Sequence, residues 1–437
     1  MVTQSSAGRR IRCAAVIVLS LLAGVAADPA AASPGGGHAR DDGVWSGTWA
    51  TVPTAVPPAN VATFENQTIR QVVHVSIGGD PLRVRLSNEF GDRPLVIGAA
   101  HIARGAANGA PEQIAEGTDR RLTFGGRATV TVPPGAPLLS DPVALRVAPR
   151  SDVVVSVYLP ERTEGRTIHA FAFRQNVVAA GNVVAETKVT PSSVIEQWYF
   201  LTGVSVRTRR PDAAAVVTLG DSITDGANTT MGADLRWPDI LAGRLQANRD
   251  LRNLAVLNEG ISGNRLLHDP NPPPGSDAED FAAFFGESAL RRFDRDVGAQ
   301  PGAKYVIVLL GVNDLGHPGT VAPPSEEVSA AAIIGGYQQL IARAHERGLK
   351  IFGGTILPFR NDTFGFYTPE REATRQAVNA WIRTSGEYDA VIDFDAALRD
   401  PAHPGQLLPI YDSGDHLHPN DAGAAALANA VPLRIFR

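Results

Sequence analysis

The sequence predicts an α/β fold, a parallel sheet flanked by helices, preceded by an all-β region of sandwich or jelly-roll type. Three observations carry this. After residue 211, short apolar β-branched runs alternate with amphipathic helical stretches, the pattern of βαβ units and a parallel sheet. Before residue 207, the apolar runs are short, alternate with period two and are separated by Gly/Pro turns. A chain of 437 residues exceeds the usual size of one domain, and its 44% hydrophobic content is enough for more than one core.

The N-terminus reads as an address rather than a fold. Arg9, Arg10 and Arg12 precede an apolar run over 14–27, and small residues continue to Ala32, which together predict a secretory signal peptide over 1–32. The run is too short and Ala-rich for a stable membrane span. The residues around Arg9-Arg10 match a twin-arginine signal poorly, so export by the general route is expected, with a secreted product. The single cysteine, Cys13, would leave with this segment, so the mature chain is expected to hold no disulfide. A Gly/Pro-rich spacer follows over 33–43.

Residues 44–206 form the β region. Leu82-Arg83-Val84-Arg85-Leu86 alternates strictly, as do 128–132 and part of 152–158. Gly78-Gly79-Asp80-Pro81, Gly125-Gly126 and Pro133-Pro134-Gly135 supply turns between them. Trp45, Trp49, Trp198 and Tyr199 offer two readings: a platform for stacking sugar rings, or, more ordinarily, core and seam filling. Asn66-Gln67-Thr68 matches a glycosylation acceptor.

Residues 211–437 form the α/β region. Strands are expected at 215–219, 254–258, 305–310, 351–355 and 391–394, and helices at 238–247, 280–296, 326–347, 369–384 and 421–430. Trp237-Pro238 marks a helix start, since proline suits a first helical position. Right-handed crossovers put the C-terminal ends of all parallel strands on one rim, where open α/β sheets bind ligands.

The segments after those ends carry polar signatures. The first strand breaks into Gly220-Asp221-Ser222-Ile223-Thr224-Asp225-Gly226. The second leads into Ile261-Ser262-Gly263-Asn264 and the third into Gly311-Val312-Asn313-Asp314. Beyond the fifth lies Asp415-His416-Leu417-His418-Pro419. A serine hydroxyl is a weak nucleophile until a base takes its proton, so a serine on this rim calls for a histidine and a group to orient it.

With these four blocks in this order, the chain resembles the SGNH (GDSL-type) hydrolase superfamily over about 215–430. The resemblance implies a flavodoxin-like three-layer α/β/α domain, here preceded by the β domain that the alternation over 44–206 predicts. It implies Ser222 as nucleophile, His418 as base and Asp415 as its orienter, with an oxyanion hole from the N–H groups of Ser222 and Gly263 and the amide of Asn313. The block after the strand has isoleucine where the family's nickname has leucine, a conservative departure. Asp221 and Asp314 are read as structural, and His416 as a loop residue. His268 and His317 lie on loops that could rim the cleft, and the loops 267–278 and 314–324 are expected to shape the pockets.

These residues predict a serine esterase cleaving carboxylic esters, with acetyl or other short acyl groups favoured, no cofactor and no metal. The substrate would be a small-molecule or polysaccharide acyl ester and the enzyme a monomer. A lipase or lysophospholipase role is the alternative within the same chemistry. Two other classes stay open: a metal-dependent phosphoesterase using Asp221, Asn313, Asp415, His416 and His418 as ligands, and a noncatalytic polysaccharide-binding protein. A net charge of −5 with no long run of like charge argues against nucleic acid as partner.

Overall fold

The computed structural model describes residues 43–437, which pack as one compact unit. The expected signal peptide, nearly all of the spacer and Cys13 lie outside the described residues. Among the described residues, no helix is long and apolar enough to cross a membrane.

The β region consists mostly of antiparallel sheets. A four-stranded sheet runs in the order Val44–Ala50, Leu201–Thr208, Leu82–Ser87, Pro137–Leu139. A six-stranded sheet is built around the long pair Gln67–Val75 and Ser151–Leu159. Alternation drives the pattern: Leu82, Val84 and Leu86 are buried while Arg83 and Arg85 reach outward. Of the expected strand over 128–132, only Val130–Val132 forms, paired with Leu95–Ile97.

The tryptophans settle between their two readings. Trp49 and Trp198 are buried and meet edge to face at 4.9 Å, and Tyr199 meets Phe64 in the same way at 4.9 Å. They fill the core, where no sugar ring could reach them. Trp45 is half-buried under the guanidinium of Arg83, 4.4 Å from its ring centre.

The α/β region is a five-stranded parallel sheet: β1 (Ala214–Gly220), β2 (Leu254–Gly260), β3 (Ala303–Leu309), β4 (Lys350–Gly354) and β5 (Ala390–Ile392). Their spatial order is β2-β1-β3-β4-β5, the flavodoxin-like order, whose switch point lies between β1 and β3. All seven residues of β1 are buried, as a strand covered on both faces requires. Helices α1 (Ser222–Asp225), α2 (Trp237–Ala247), α3 (Ala289–Phe293), α4 (Val312–Gly316), α5 (Ala330–Glu346), α6 (Pro369–Thr384), α7 (Phe394–Leu398) and α8 (Asp421–Ala430) complete it. They gather in two groups, α2 with α7 and α8, and α3 and α4 with α5 and α6. Ser329 and Thr368 cap α5 and α6 through side-chain oxygens, and Pro369 opens α6.

Strand β2 is an edge of this sheet, and an open edge exposes unpaired backbone groups. The β region covers it. Strand Val44–Ala50 packs along β2 so closely that a Cβ on Gly47 would sit 2.8 Å from the Leu257 side chain, and the Ser76 hydroxyl accepts from the Val256 N–H at 3.1 Å.

The helix expected over 280–296 is corrected. Short turns of 3-10 type occupy Asp277–Asp280 and Ala282–Phe285, and α3 follows only from Ala289. Gly286, with φ 65° and ψ 173°, breaks the path between them. Phe281 and Phe285 are thereby turned into the cleft described next.

Candidate active site

Strand β1 delivers Ser222 to the switch point. Gly220 has no room for a side chain, since a Cβ would lie 2.1 Å from Thr224 Oγ1. Asp221 then caps the single-turn α1, accepting from the Ile223 N–H at 3.0 Å, so Ser222 becomes its first residue. Ser222 Oγ lies 2.8 Å from His418 Nε2.

His418 comes from a loop 196 residues further on. Asp415 organises that loop: one carboxylate oxygen accepts from the N–H groups of Leu417 and His418 at 2.9 and 2.8 Å, and the other faces His418 Nδ1 at 2.6 Å and the Asn228 amide at 2.8 Å. A carboxylate only accepts, so Nδ1 carries the hydrogen and Nε2 turns its lone pair toward Ser222. Burial would raise the Asp415 carboxyl, but the hydrogen bond and charge of His418, with the two backbone donors, hold it far below the usual carboxylate range. His416 points elsewhere. Its φ is 62°, its side chain is 46% exposed, and Nδ1 meets Asp412 at 2.5 Å.

The remaining predicted residues converge on the same place. Gly263 follows β2 with φ 79°, and a Cβ there would collide with the Phe285 ring at 2.1 Å. The N–H groups of Ser222 and Gly263 have no partner among the described residues. Asn313, buried on α4, donates one amide hydrogen to Asn264 O at 3.0 Å, leaving the second to the cleft. Ser222, Gly263, Asn313 and His418 line one cleft of about 430 Å³.

Buried charge braces the rim. The Arg292 guanidinium donates to the carbonyls of Gly220 and Glu259, at 3.0 and 2.9 Å, and to the Asn264 side chain at 3.1 Å. It therefore ties the ends of β1 and β2 to the glycine loop. Asp314 accepts from the N–H groups of Leu266 and Leu267 at 2.7 and 2.9 Å. Burial pushes Asp221 up to about 7, helped by the nearby Asp314, and raises Asp314 as well. With their oxygens facing backbone donors, Asp221 and Asp314 act as loop braces. Among the described residues, one group has metal-ligand spacing, His74, Asp152 and Asp234, and the Arg174 guanidinium already bridges its two carboxylates.

The cleft walls were largely invisible in the sequence. Six phenylalanines face it: Phe171 and Phe173 from the β region, Phe281 and Phe285 from the broken segment, and Phe364 and Phe366 after β4. The loop 314–324 does contribute, through His317, Thr320 and Val321, whereas no residue of 267–278 lines this cleft. His317 is buried between Phe285 and Phe366, and burial, reinforced by Arg265, lowers its pKa to about 3. His268 lies on a small neighbouring pocket instead. The alternation of His169-Ala170-Phe171-Ala172-Phe173 is a readable signal for a strand-like face, but nothing local says that the face meets a serine.

The fold is an α/β one with a flavodoxin-like sheet order, and its rim seats a serine and a histidine together. Residues 218–426 match the GDSL-like lipase/acylhydrolase family model, so this part of the chain is a domain of that family, and the protein is an ester-bond hydrolase. Among solved structures, a GDSL-like lipase from Bacteroides thetaiotaomicron is 18% identical, with 51% of this chain and 87% of that one covered and a TM-score of 0.34. An acetylxylan esterase from Geobacillus stearothermophilus is 20% identical over 51% and 94%, with a TM-score of 0.37. An α/β hydrolase from the Lake Arreo metagenome is 23% identical over 50% and 94%, with a TM-score of 0.35. No curated protein matches the chain.

Proposed function

We propose that the protein is an exported serine esterase that cleaves uncharged carboxylic esters through Ser222, His418 and Asp415. The observation that supports this above all is the unbroken chain of short contacts, Ser222 Oγ to His418 Nε2 at 2.8 Å and His418 Nδ1 to Asp415 at 2.6 Å. Export rests on the basic residues and apolar run at the N-terminus.

In this reading His418 takes the Ser222 proton as Oγ attacks the ester carbonyl. The negative charge that develops on the carbonyl oxygen meets the N–H groups of Ser222 and Gly263 and the free amide hydrogen of Asn313. His418 then gives its proton to the leaving alcohol, and Asp415 steadies the transient imidazolium. Water repeats the sequence on the acyl enzyme and restores Ser222.

The six phenylalanines refine the substrate. Aromatic walls without a facing charge suit an alkyl or aryl group better than a bare sugar ring bearing an acetyl. A cleft of about 430 Å³ holds an acyl group of a few carbons more readily than a long lipid tail. The test is an acyl-length series of p-nitrophenyl esters on wild type and Ser222→Ala. Activity should peak between acetyl and about hexanoyl and vanish in the variant. A peak at ten carbons or more refutes the chain-length reading, and full activity in Ser222→Ala refutes the mechanism.

A further inference from the structure

We infer that the β region is part of the catalytic apparatus, with His169 acting through Asp225 as a positioning pair for the oxyanion donor of Gly263. The inference deepens the esterase reading above and rests on it.

His169 ends the two-residue strand Ile168–His169, which pairs with Trp198–Tyr199. Its ring is 2% exposed and lies over Trp198, with ring centres 5.6 Å apart. Nδ1 is 3.0 Å from the Val52 carbonyl oxygen and Nε2 is 3.0 Å from Asp225 Oδ1. A carbonyl oxygen only accepts, so Nδ1 carries a hydrogen, and the contact to Asp225 needs a second one shared between Nε2 and Oδ1. The two groups are thus held together away from the surface, each 2% exposed.

Asp225 is the last residue of α1, three positions after Ser222, and its side chain is also 2% exposed. Its second oxygen accepts from both the backbone N–H of Ser262, at 2.9 Å, and the Ser262 hydroxyl, at 2.8 Å. Ser262 immediately precedes Gly263. Bonds of 2.8 to 3.0 Å therefore run from Val52 through His169 and Asp225 to the residue that sets the direction of the Gly263 N–H.

Gly263 needs such a tether. It has no side chain to anchor it, and its φ of 79° is held from one side by Ser262 and from the other by Asn264, whose amide donates to Phe285 O and Glu287 O at 2.8 Å each. An oxyanion donor works only if it already points where charge will appear, and a displacement of about 1 Å costs on the order of 100-fold in rate. The segment that follows the strand Ile168–His169 places Phe171 and Phe173 on the cleft wall, so one stretch of the β region supplies both the tether and part of the pocket.

The test uses the full chain with p-nitrophenyl butyrate and a boronic acid that forms a tetrahedral adduct. Ser222→Ala, measured first, decides the esterase reading by itself. With that reading intact, His169→Ala and Asp225→Ala should each lower kcat about 10- to 100-fold, leave KM within about twofold, and weaken the boronic acid by a matching factor. His169→Gln, which can still donate to Asp225, should recover most of the loss. The inference is overturned if Asp225→Ala keeps the wild-type kcat, or if the loss falls wholly on KM. It is also overturned if both variants fail to fold, because the pair is then a fold element and nothing more.

Discussion

The ring of Phe364 stands perpendicular to that of His418, with centres 5.8 Å apart, while 47% of Phe364 remains exposed. An aromatic side chain is thus held at the solvent side of the imidazole that faces Ser222. It shields the His418 contacts from water and offers its outer face to whatever enters.

Removing that cover should weaken substrate binding more than chemistry. Phe364 keeps about half its surface in water, so only part of the 1.5–3 kcal/mol for a fully buried side chain is at stake, about 1 kcal/mol. Phe364→Ala is expected to raise KM for butyryl esters roughly fivefold with kcat within about twofold. Steady-state kinetics on both enzymes checks this, and an unchanged KM would show that the ring does not meet the substrate.

Asn313 should behave in the opposite way. Its free amide hydrogen is argued to meet charge that exists only in the transition state. Asn313→Ala should therefore lower kcat by ~100- to 1,000-fold while KM stays near wild type. A loss confined to KM would assign the amide to ground-state binding.

The four hydrogen bonds to Asp415 predict a graded pair of effects. Asp415→Asn puts a donor where His418 Nδ1 also donates, which disfavours the tautomer needed at Nε2, and kcat should fall by ~10⁴. Asn228→Ala removes one of the four donors and leaves the carboxylate in place. A loss of only several-fold is expected, read in the same assay.

His317 gives a stability prediction with a definite sign. Burial lowers its pKa to about 3, whereas the unfolded chain titrates near 6.5. Between those values the unfolded state binds the extra proton, so stability rises with pH, by up to about 1.4 kcal/mol per unit. The contribution is complete above about pH 6.5 and is lost as pH falls toward 3. Urea unfolding of wild type and His317→Phe between pH 4 and 7 should show a flatter acid limb in the variant. Parallel limbs would mean that another group governs the acid side.

The parallel sheet was legible from its buried strand runs, and Ser222, Gly263 and Asn313 each stand just after one of them, on a rim that strand ends share. His418 lies on a later loop beyond α7, and it was the resemblance of the four blocks to the SGNH pattern that singled these residues out together. The helix over 280–296 was misread because composition there looks helical, while the backbone turns at Gly286 to carry Phe281 and Phe285 inward. Phe171, Phe173 and His169 alternate in the sequence, but nothing local says that they meet the cleft and Asp225. Their meaning comes from packing between segments more than 50 residues apart, and that is fixed by how the antiparallel strands cover β2. Asn228 escaped for a similar reason, since its contact spans 187 residues.

The covering of β2 by Val44–Ala50 and Ser76 bears on how this enzyme can be cut and recombined. A fragment beginning after Arg210 would keep every motif of the hydrolase family, yet it would expose a bare sheet margin and lose one wall of its cleft. Grafting the C-terminal half onto a foreign partner should therefore yield a sticky, feebly active protein. Engineers seeking a smaller version would do better to trim surface loops than to divide the chain at that seam.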